Sequence, residues 1–305
     1  MAMKHDRHNA AFLMRDGCRL HYRHYSMTTA QSVMLLLPGF GLTSEDYVSC
    51  CQHLAKSSAV TVYSPDLRGQ GQSQGGEGDV AYIGQLQDDL SDMIAALQQN
   101  HPGLPVVLAA HSGSSSLAIS YLATRPDPMV VALYLLAPVF FGHMEYDREL
   151  QRAYQFIYYG RYHRKPAPHP ASQLRMNQEF RYSLLRHGLG RTFSALQHIR
   201  VLQVRRDAGQ PWRNYSFRFL QSYRCRDLTQ SLERIRVPVW LMVGQEDEVM
   251  LPDAVFTLLN WHLAPGLLRE SRCLARMGHF SILAMAATLM GHWLRATVTP
   301  QGGMQ

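Results

Sequence analysis

Short apolar runs alternate with amphipathic segments along two stretches of the chain, residues 30–138 and 237–298. The runs are bounded by glycine, proline or polar residues, which is typical of strands covered on both faces. In the segments between them, apolar residues recur every three or four positions, as in helices packed on a sheet. This alternation predicts an α/β fold with a mostly parallel, doubly wound sheet.

The same pattern gives the individual elements. A hairpin is predicted around the Asp16-Gly17 turn, and helices begin after Ser44, Ser112 and Pro252, with further helices over 83–97 and 280–296. The remaining predicted strands are 33–37, 59–66, 106–110, 129–138, 237–244 and a less regular one at 267–274. The carboxyl ends of parallel strands meet at one edge, so functional loops are expected there.

Residues 141–235 interrupt the alternation. They contain no convincing buried parallel strand, are rich in Arg, Tyr, Phe and His, and include the stretch KPAPHPA. We predict a mainly helical cap over residues 140–236, inserted into a core formed by 1–139 and 237–305. Residues 141–236 hold 18 of the 30 Lys and Arg but only 7 of the 23 Asp and Glu, so the predicted cap is strongly basic.

Composition narrows the class of protein. Hydrophobic residues make up 46% of the chain and charged residues 17%, as in ordinary globular proteins. The first residues lack the apolar core of a secretory signal, and no apolar run approaches the roughly 20 residues of a membrane span. The five cysteines are scattered without C-x-x-C spacing, which argues against a disulfide framework or a zinc site. A cytoplasmic location is expected.

The segment Ala110-His111-Ser112-Gly113-Ser114 joins a buried strand to a helix through small residues. So sharp a turn lifts the serine hydroxyl clear of the sheet and directs N–H groups of the helix start toward its target. A serine nucleophile needs a histidine base and a carboxylate that orients it. In an architecture of this kind the expected chain order is serine, acid, histidine, each on a loop after a strand. The loop Glu246-Asp247-Glu248 and His279 occupy those places, each after a predicted strand.

Other motifs have plainer interpretations. The segment Asp66–Gly71 is glycine-rich but lacks the Gly-Lys-Ser/Thr ending of a phosphate loop, so we predict a structural turn and no cofactor. Cys50 and Cys51 are expected to pack against the core, and His111 to be a structural residue at a strand end. The basic cap has no nucleic-acid-binding motif, and no nucleic-acid partner is expected.

The segments LLLPGFG, SPDLRGQGQS, AHSGS, GQEDEV and GHFSI resemble the α/β-hydrolase superfamily, and most of all the branch of monoacylglycerol lipases, lysophospholipases and serine aminopeptidase-like hydrolases. The resemblance covers nearly the whole chain outside the cap. It implies Ser112 as nucleophile, Asp247 as acid and His279 as base, with Glu246 and Glu248 exposed to solvent. It also implies an oxyanion hole of two backbone N–H groups, from Phe40 and Gly113, and no metal or organic cofactor.

The resemblance implies hydrolysis of a carboxylic ester, with a lipid-like substrate such as a monoacylglycerol or lysophospholipid. The cap would supply apolar surface. Its arginines would either favour an anionic head group or an anionic membrane surface, or only keep the cap surface hydrated. An acyltransferase or thioesterase with the same residues, and a non-catalytic ligand-binding relative, are the alternatives. The cap aromatics are Phe140, Phe141, Tyr146, Tyr154, Phe156, Tyr158 and Tyr159.

Overall fold

Six parallel strands, which extend to one edge, make up the larger part of a nine-stranded sheet. The structure, a computed structural model, describes residues 4–5, 10–26, 29–140, 173–176, 194–205 and 213–298. The main sheet has the order β1-β3-β5-β4-β6-β7-β11-β12, with β2 paired to β3. Its strands are β1 Lys4–His5, β2 Ala11–Leu13, β3 Arg19–Ser26, β4 Ser32–Leu37, β5 Val60–Pro65, β6 Val106–His111, β7 Val130–Leu136, β11 Val239–Gly244 and β12 Leu268–Leu274.

Seven α-helices lie in the described part of the chain. They are α1 Val48–Ser57, α2 Gln85–Asn100, α3 Ser114–Thr124, α4 Phe217–Tyr223, α5 Leu228–Glu233, α6 Pro252–His262 and α7 Leu283–Val298. None of these described helices is long and apolar enough to cross a bilayer. The predicted order of strands and helices in the core is confirmed.

Each face of the sheet has its own hydrophobic core, because successive strand residues point to opposite faces. In β4, Leu35 and Leu37 pack on one side with apolar residues of α2, α3 and α6. Met34 and Leu36 pack on the other side with α1 and α7. Every residue of β4, β5, β6 and β11 is buried, as expected of central strands covered on both faces.

The first helix begins differently from the prediction. Ser44 does not cap α1, since it lies inside a short 3-10 turn, Ser44–Tyr47, which precedes that helix. Thr43 caps this turn, and its N–H donates to Asp46 at 2.8 Å. The Ser44 N–H donates to the Asp66 carboxylate at 2.7 Å. The predicted cap at Ser44 is therefore wrong by one residue, because the preceding Thr43 is also of a type that caps helices and it holds this position.

The glycine-rich segment after β5 is held by side chains of the protein itself. Asp66 accepts a second backbone N–H, from Gln72, at 2.8 Å. The buried Arg68 guanidinium bonds the Asp89 carboxylate at 2.6 and 2.8 Å and the Asp16 carboxylate at 2.8 Å. These contacts agree with the structural interpretation of this turn, since its charged groups are satisfied internally.

Part of the region predicted as a cap is described, and it contains a small sheet that the sequence did not indicate. The strands β8 Gln173–Met176, β9 Arg200–Arg205 and β10 Arg213–Ser216 pair antiparallel, and α4 follows β10 directly. Strands as short as these, of four to six residues, give little sequence signal. Six of the predicted cap aromatics (Phe141, Tyr146, Tyr154, Phe156, Tyr158 and Tyr159) lie outside the described residues, whereas Phe140 is buried.

Candidate active site

Ser112 occupies a strained turn directly after β6. Its φ of +54° lies in the left-handed region, which a residue with a side chain rarely adopts. Two backbone hydrogen bonds hold it there, from the Ser112 N–H to Leu136 at 2.9 Å and from the Val139 N–H to the Ser112 carbonyl at 3.0 Å. The end of β7 therefore fixes the turn, and α3 begins two residues later at Ser114.

Small residues around this turn are required by the close approach of the loop after β4. A Cβ added to Gly39 would lie 3.0 Å from both the Ser112 Cβ and the His111 ring. Ser114, which stands where the resembling family has glycine, is fully buried, and its hydroxyl donates to the Pro38 carbonyl. The serine at this position thus ties the start of α3 to the loop that carries Phe40.

The structure brings Ser112, His279 and Asp247 together in one hydrogen-bonded chain. The His279 Nε2 lies 2.8 Å from the Ser112 Oγ. On the other side of the ring, Nδ1 lies 3.0 and 3.1 Å from the two Asp247 carboxylate oxygens. The His279 and Asp247 side chains are each only 1% exposed. This geometry lets the imidazole exchange a proton with the serine while the carboxylate fixes the ring.

Asp247 is held as a charged carboxylate by its surroundings. Burial raises the pKa of Asp247, but the nearby His279 and its hydrogen bond, together with two backbone donors, bring the pKa below its ordinary value. Those donors are the N–H groups of Val249 and Met250, both at 2.8 Å. An ionised acceptor here favours the tautomer with hydrogen on Nδ1, which leaves Nε2 free to take the serine proton.

Glu248 has a role that the sequence interpretation missed. It was expected to be exposed to solvent, but its carboxylate accepts the backbone N–H of His279 at 2.8 Å. A Cβ added to Gly278 would lie 2.5 Å from the same carboxylate oxygen, so the glycine permits this approach. The expectation is wrong because the loop before α7 folds back over the one after β11, a long-range contact with no local sequence signal. Glu246 is exposed, as expected.

The two predicted oxyanion donors flank the serine. Gly113 follows Ser112 at the start of α3, and its N–H donates to no protein acceptor within the described part of the chain. Phe40 follows Gly39, whose backbone approaches Ser112 closely. Since β4 and β6 are adjacent parallel strands, their carboxyl ends place the two loops side by side. The arrangement suits stabilisation of a negative oxygen beside Ser112.

His111 links these loops through a buried hydrogen-bond network. The His111 Nδ1 lies 2.6 Å from the Tyr47 hydroxyl, and Nε2 lies 3.1 Å from the His279 carbonyl. A carbonyl only accepts, so Nε2 carries the hydrogen and Nδ1 accepts from Tyr47. The Tyr47 oxygen in turn accepts the Gly39 N–H at 2.9 Å. His111 thus acts as the structural residue that the sequence predicted, and both ring nitrogens are occupied.

Within the described ranges, no cluster of three or more His, Cys, Asp or Glu side chains is arranged to hold a metal ion. Cys50 and Cys51 are buried under the sheet, and burial raises the pKa of both thiols. They pack in the core as predicted, and the raised pKa keeps both thiols protonated.

The burial of His111 should make the free energy of unfolding depend on pH in a specific way. Burial and the neighbouring His279 lower the pKa of His111 to about 3, from an ordinary value of 6.5. Between these two pH values His111 binds a proton in the unfolded chain but not in the folded one. Its contribution to the free energy of unfolding therefore decreases as the pH falls from about 6 to 4. The slope is about 1.4 kcal/mol per pH unit. Urea unfolding at several pH values measures it.

The matched variant is His111→Gln, which keeps an acceptor and a donor but does not titrate. Its free energy of unfolding should fall less steeply over this pH range than that of the wild type. Parallel curves for the two proteins would show that His111 is not held neutral in the folded state.

Comparison with known proteins gives the family. The family model for serine aminopeptidase, S33, matches residues 28–261 of this chain. The human protein monoglyceride lipase is 28% identical over 131 residues, which is 43% of this chain. The match spans only 43% of the human protein's length.

Solved structures show the same fold. Est1E from Butyrivibrio proteoclasticus, solved with ferulic acid bound, has a TM-score of 0.61 at 14% identity, covering 95% of this chain and 99% of that one. The monoacylglycerol lipase of Paleococcus ferrophilus has a TM-score of 0.58 at 18% identity, covering 91% and 99%. The family match and these structures together show that the chain belongs to the serine aminopeptidase S33 family of hydrolases and has the α/β-hydrolase fold.

Proposed function

We propose that the protein hydrolyses carboxylic esters through an acyl-enzyme on Ser112. The observation that carries this proposal is the hydrogen-bonded chain from the Ser112 Oγ through both ring nitrogens of His279 to the Asp247 carboxylate. A serine hydroxyl at its free pKa is a weak nucleophile, and a hydrogen-bonded imidazole is the group that activates it. Membership of a hydrolase family supports the same reaction.

In the first step, the Ser112 Oγ attacks the ester carbonyl while His279 Nε2 takes the hydroxyl proton. The carbonyl oxygen becomes negative and accepts from the Gly113 and Phe40 N–H groups. Loss of one such donor typically raises the barrier by about 3–4 kcal/mol. His279 then gives its proton to the leaving alcohol, and the acyl group remains on Ser112.

In the second step, His279 removes a proton from water, which attacks the acyl-enzyme carbonyl. The second oxyanion uses the same two donors, and the proton returns to the Ser112 Oγ as the acid leaves. Asp247 stays ionised throughout and stabilises the imidazolium that forms in each step. His279 carries the proton in every transfer of this scheme.

For the substrate we propose a lipid-like ester, such as a monoacylglycerol or lysophospholipid. The similarity to human monoglyceride lipase supports an acylglycerol. The excess of Lys and Arg in residues 141–236 supports an anionic head group or membrane surface close to the site. Phe40, which is partly exposed, supplies apolar surface of the kind that an acyl chain contacts.

Replacing the nucleophile tests the reaction. Ser112→Ala should lower kcat/KM on a p-nitrophenyl ester by a factor of about 10⁴ or more, because no covalent intermediate can form. Ser120→Ala, on the partly exposed face of α3, is the matched control and should keep wild-type activity. Equal activity of Ser112→Ala and wild type would refute the assigned nucleophile.

A series of acyl chain lengths tests the substrate class. We expect kcat/KM to rise from acetyl to dodecanoyl p-nitrophenyl esters, because each buried methylene contributes about 0.8 kcal/mol. Monoacylglycerol and lysophospholipid with the same acyl chain separate a neutral head group from a phosphate-bearing one. A preference for acetyl esters, with no gain from either head group, would remove the lipid assignment while leaving the esterase intact.

Glu248 should act by positioning His279. Glu248→Ala removes the acceptor of the His279 N–H, so we expect kcat to fall about tenfold with little change in KM. Glu248→Gln keeps an acceptor oxygen at the same place and should restore most of kcat. If the glutamine variant loses as much as the alanine variant, the charge of Glu248 matters and its hydrogen bond does not.

A further inference from the structure

Three aromatic rings from the segment after β9 surround Phe40, the residue assigned as an oxyanion donor. The Phe40 ring centroid lies 4.4 Å from that of Tyr215, 5.4 Å from that of Tyr223 and 6.1 Å from that of Phe219. Tyr215 belongs to β10, and the other two to α4, and all three are at most 1% exposed. Such tilted and edge-on contacts at these distances are attractive beyond the area they bury.

The peptide unit that carries the Phe40 N–H is fixed from the core side. Its carbonyl, that of Gly39, accepts the Leu42 N–H at 3.0 Å. In a trans peptide the N–H points opposite to the carbonyl, so this bond directs the Phe40 N–H away from Leu42. The Phe40 Cα is the other end of this unit, and the Phe40 ring is attached to it through Cβ, so contacts that fix the ring limit the movement of that end. Whatever holds the ring therefore holds the N–H.

The rings are themselves anchored to the core at a second place. The Arg218 guanidinium makes two hydrogen bonds to the Asp79 carboxylate, at 2.7 and 2.8 Å. The Ser216 N–H donates to the Gly78 carbonyl at 2.9 Å, and a Cβ at Gly78 would lie 2.0 Å from the Asn214 carbonyl oxygen. Residue 78, with φ +57°, must be glycine for β10 to come this close.

Further along α4, Ser222 continues the attachment. Its hydroxyl accepts the Gly84 N–H at 3.1 Å, and its carbonyl accepts from the Gln87 side chain at 2.9 Å. The Tyr223 hydroxyl accepts from the Gln70 side chain at 3.4 Å. Residues 213–223 are thus hydrogen-bonded to residues of the core on both sides of the aromatic contact, and these bonds fix the position of the three rings.

We propose that Tyr215, Phe219 and Tyr223 are positioning residues, which hold the Phe40 ring and thereby orient its N–H toward the reacting carbonyl oxygen. The proposal rests on the function proposed above, since it assigns a role in that reaction. Part of the region between β7 and β11 would then help to orient an oxyanion donor, in addition to any role in selecting the substrate.

The test compares an ester with its thionoester, in which sulfur replaces the carbonyl oxygen. Sulfur is larger and a weaker acceptor, so an oriented N–H donor raises the ratio of kcat/KM for oxygen over sulfur. Phe219→Leu should lower this ratio about tenfold, and Phe40→Leu should do the same. Because both changes act on one contact, the double variant should lose little more than either single one.

Phe217→Leu is the matched control. It makes the same substitution in the same helix at a buried ring that is not one of the three described around Phe40. It should lose comparable stability in urea unfolding yet keep the wild-type ratio. An unchanged ratio in folded Phe219→Leu, or an equal fall in Phe217→Leu, would overturn the proposal.

Hydrogen exchange of the amides of residues 39–42 gives a readout that does not need activity. These amides should exchange faster in Phe219→Leu than in Phe217→Leu, because the loop has lost its support. If wild type hydrolyses neither ester, the proposed function fails, and the exchange rates still decide the positioning. Equal exchange in both variants would exclude it.

Discussion

The structure of the site depends on one strained residue, Ser112, at the carboxyl end of a central strand. Its positive φ costs free energy, which two backbone hydrogen bonds from the end of β7 offset. Because the turn is fixed, the hydroxyl projects beyond the sheet edge and the Gly113 N–H lies at the start of α3. Relaxation of this one residue would move the proposed nucleophile and the proposed oxyanion donor together.

The parallel sheet then determines what else can reach the serine. The loop after β4 is adjacent to that after β6, and the loops after β11 and β12 lie further along the same edge. Hydrogen bonds connect these loops: Ser114 with the Pro38 carbonyl, Tyr47 with His111, His111 with the His279 carbonyl, and Glu248 with the His279 N–H. Both backbone groups of His279 are thus held independently of its ring, which is the preorganisation that catalysis at a fixed geometry requires.

Much of the fold could be predicted from the sequence because its signals are local. Buried strands such as Val106–His111 read as apolar runs, and the Ser112 turn is recognisable from its small neighbours. Ser112, Asp247 and His279 each follow a predicted strand, and this order predicted that they lie close together. The choice of Asp247 over the adjacent Glu246 and Glu248 relied on family resemblance. Glu248, Tyr47 and the rings around Phe40 were missed because their roles arise from contacts between segments far apart in sequence. The small antiparallel sheet of β8, β9 and β10 was missed because its strands are only four to six residues long.

We propose that Ser112 is the one nucleophile that His279 and Asp247 activate. The most direct measurement is mass spectrometry of the intact protein and its peptides after reaction with a fluorophosphonate, which traps activated serines covalently. We expect one adduct per chain, on the peptide containing Ser112, and a greatly slowed reaction in His279→Ala. An adduct on another residue, or no adduct in folded wild-type protein, would contradict it.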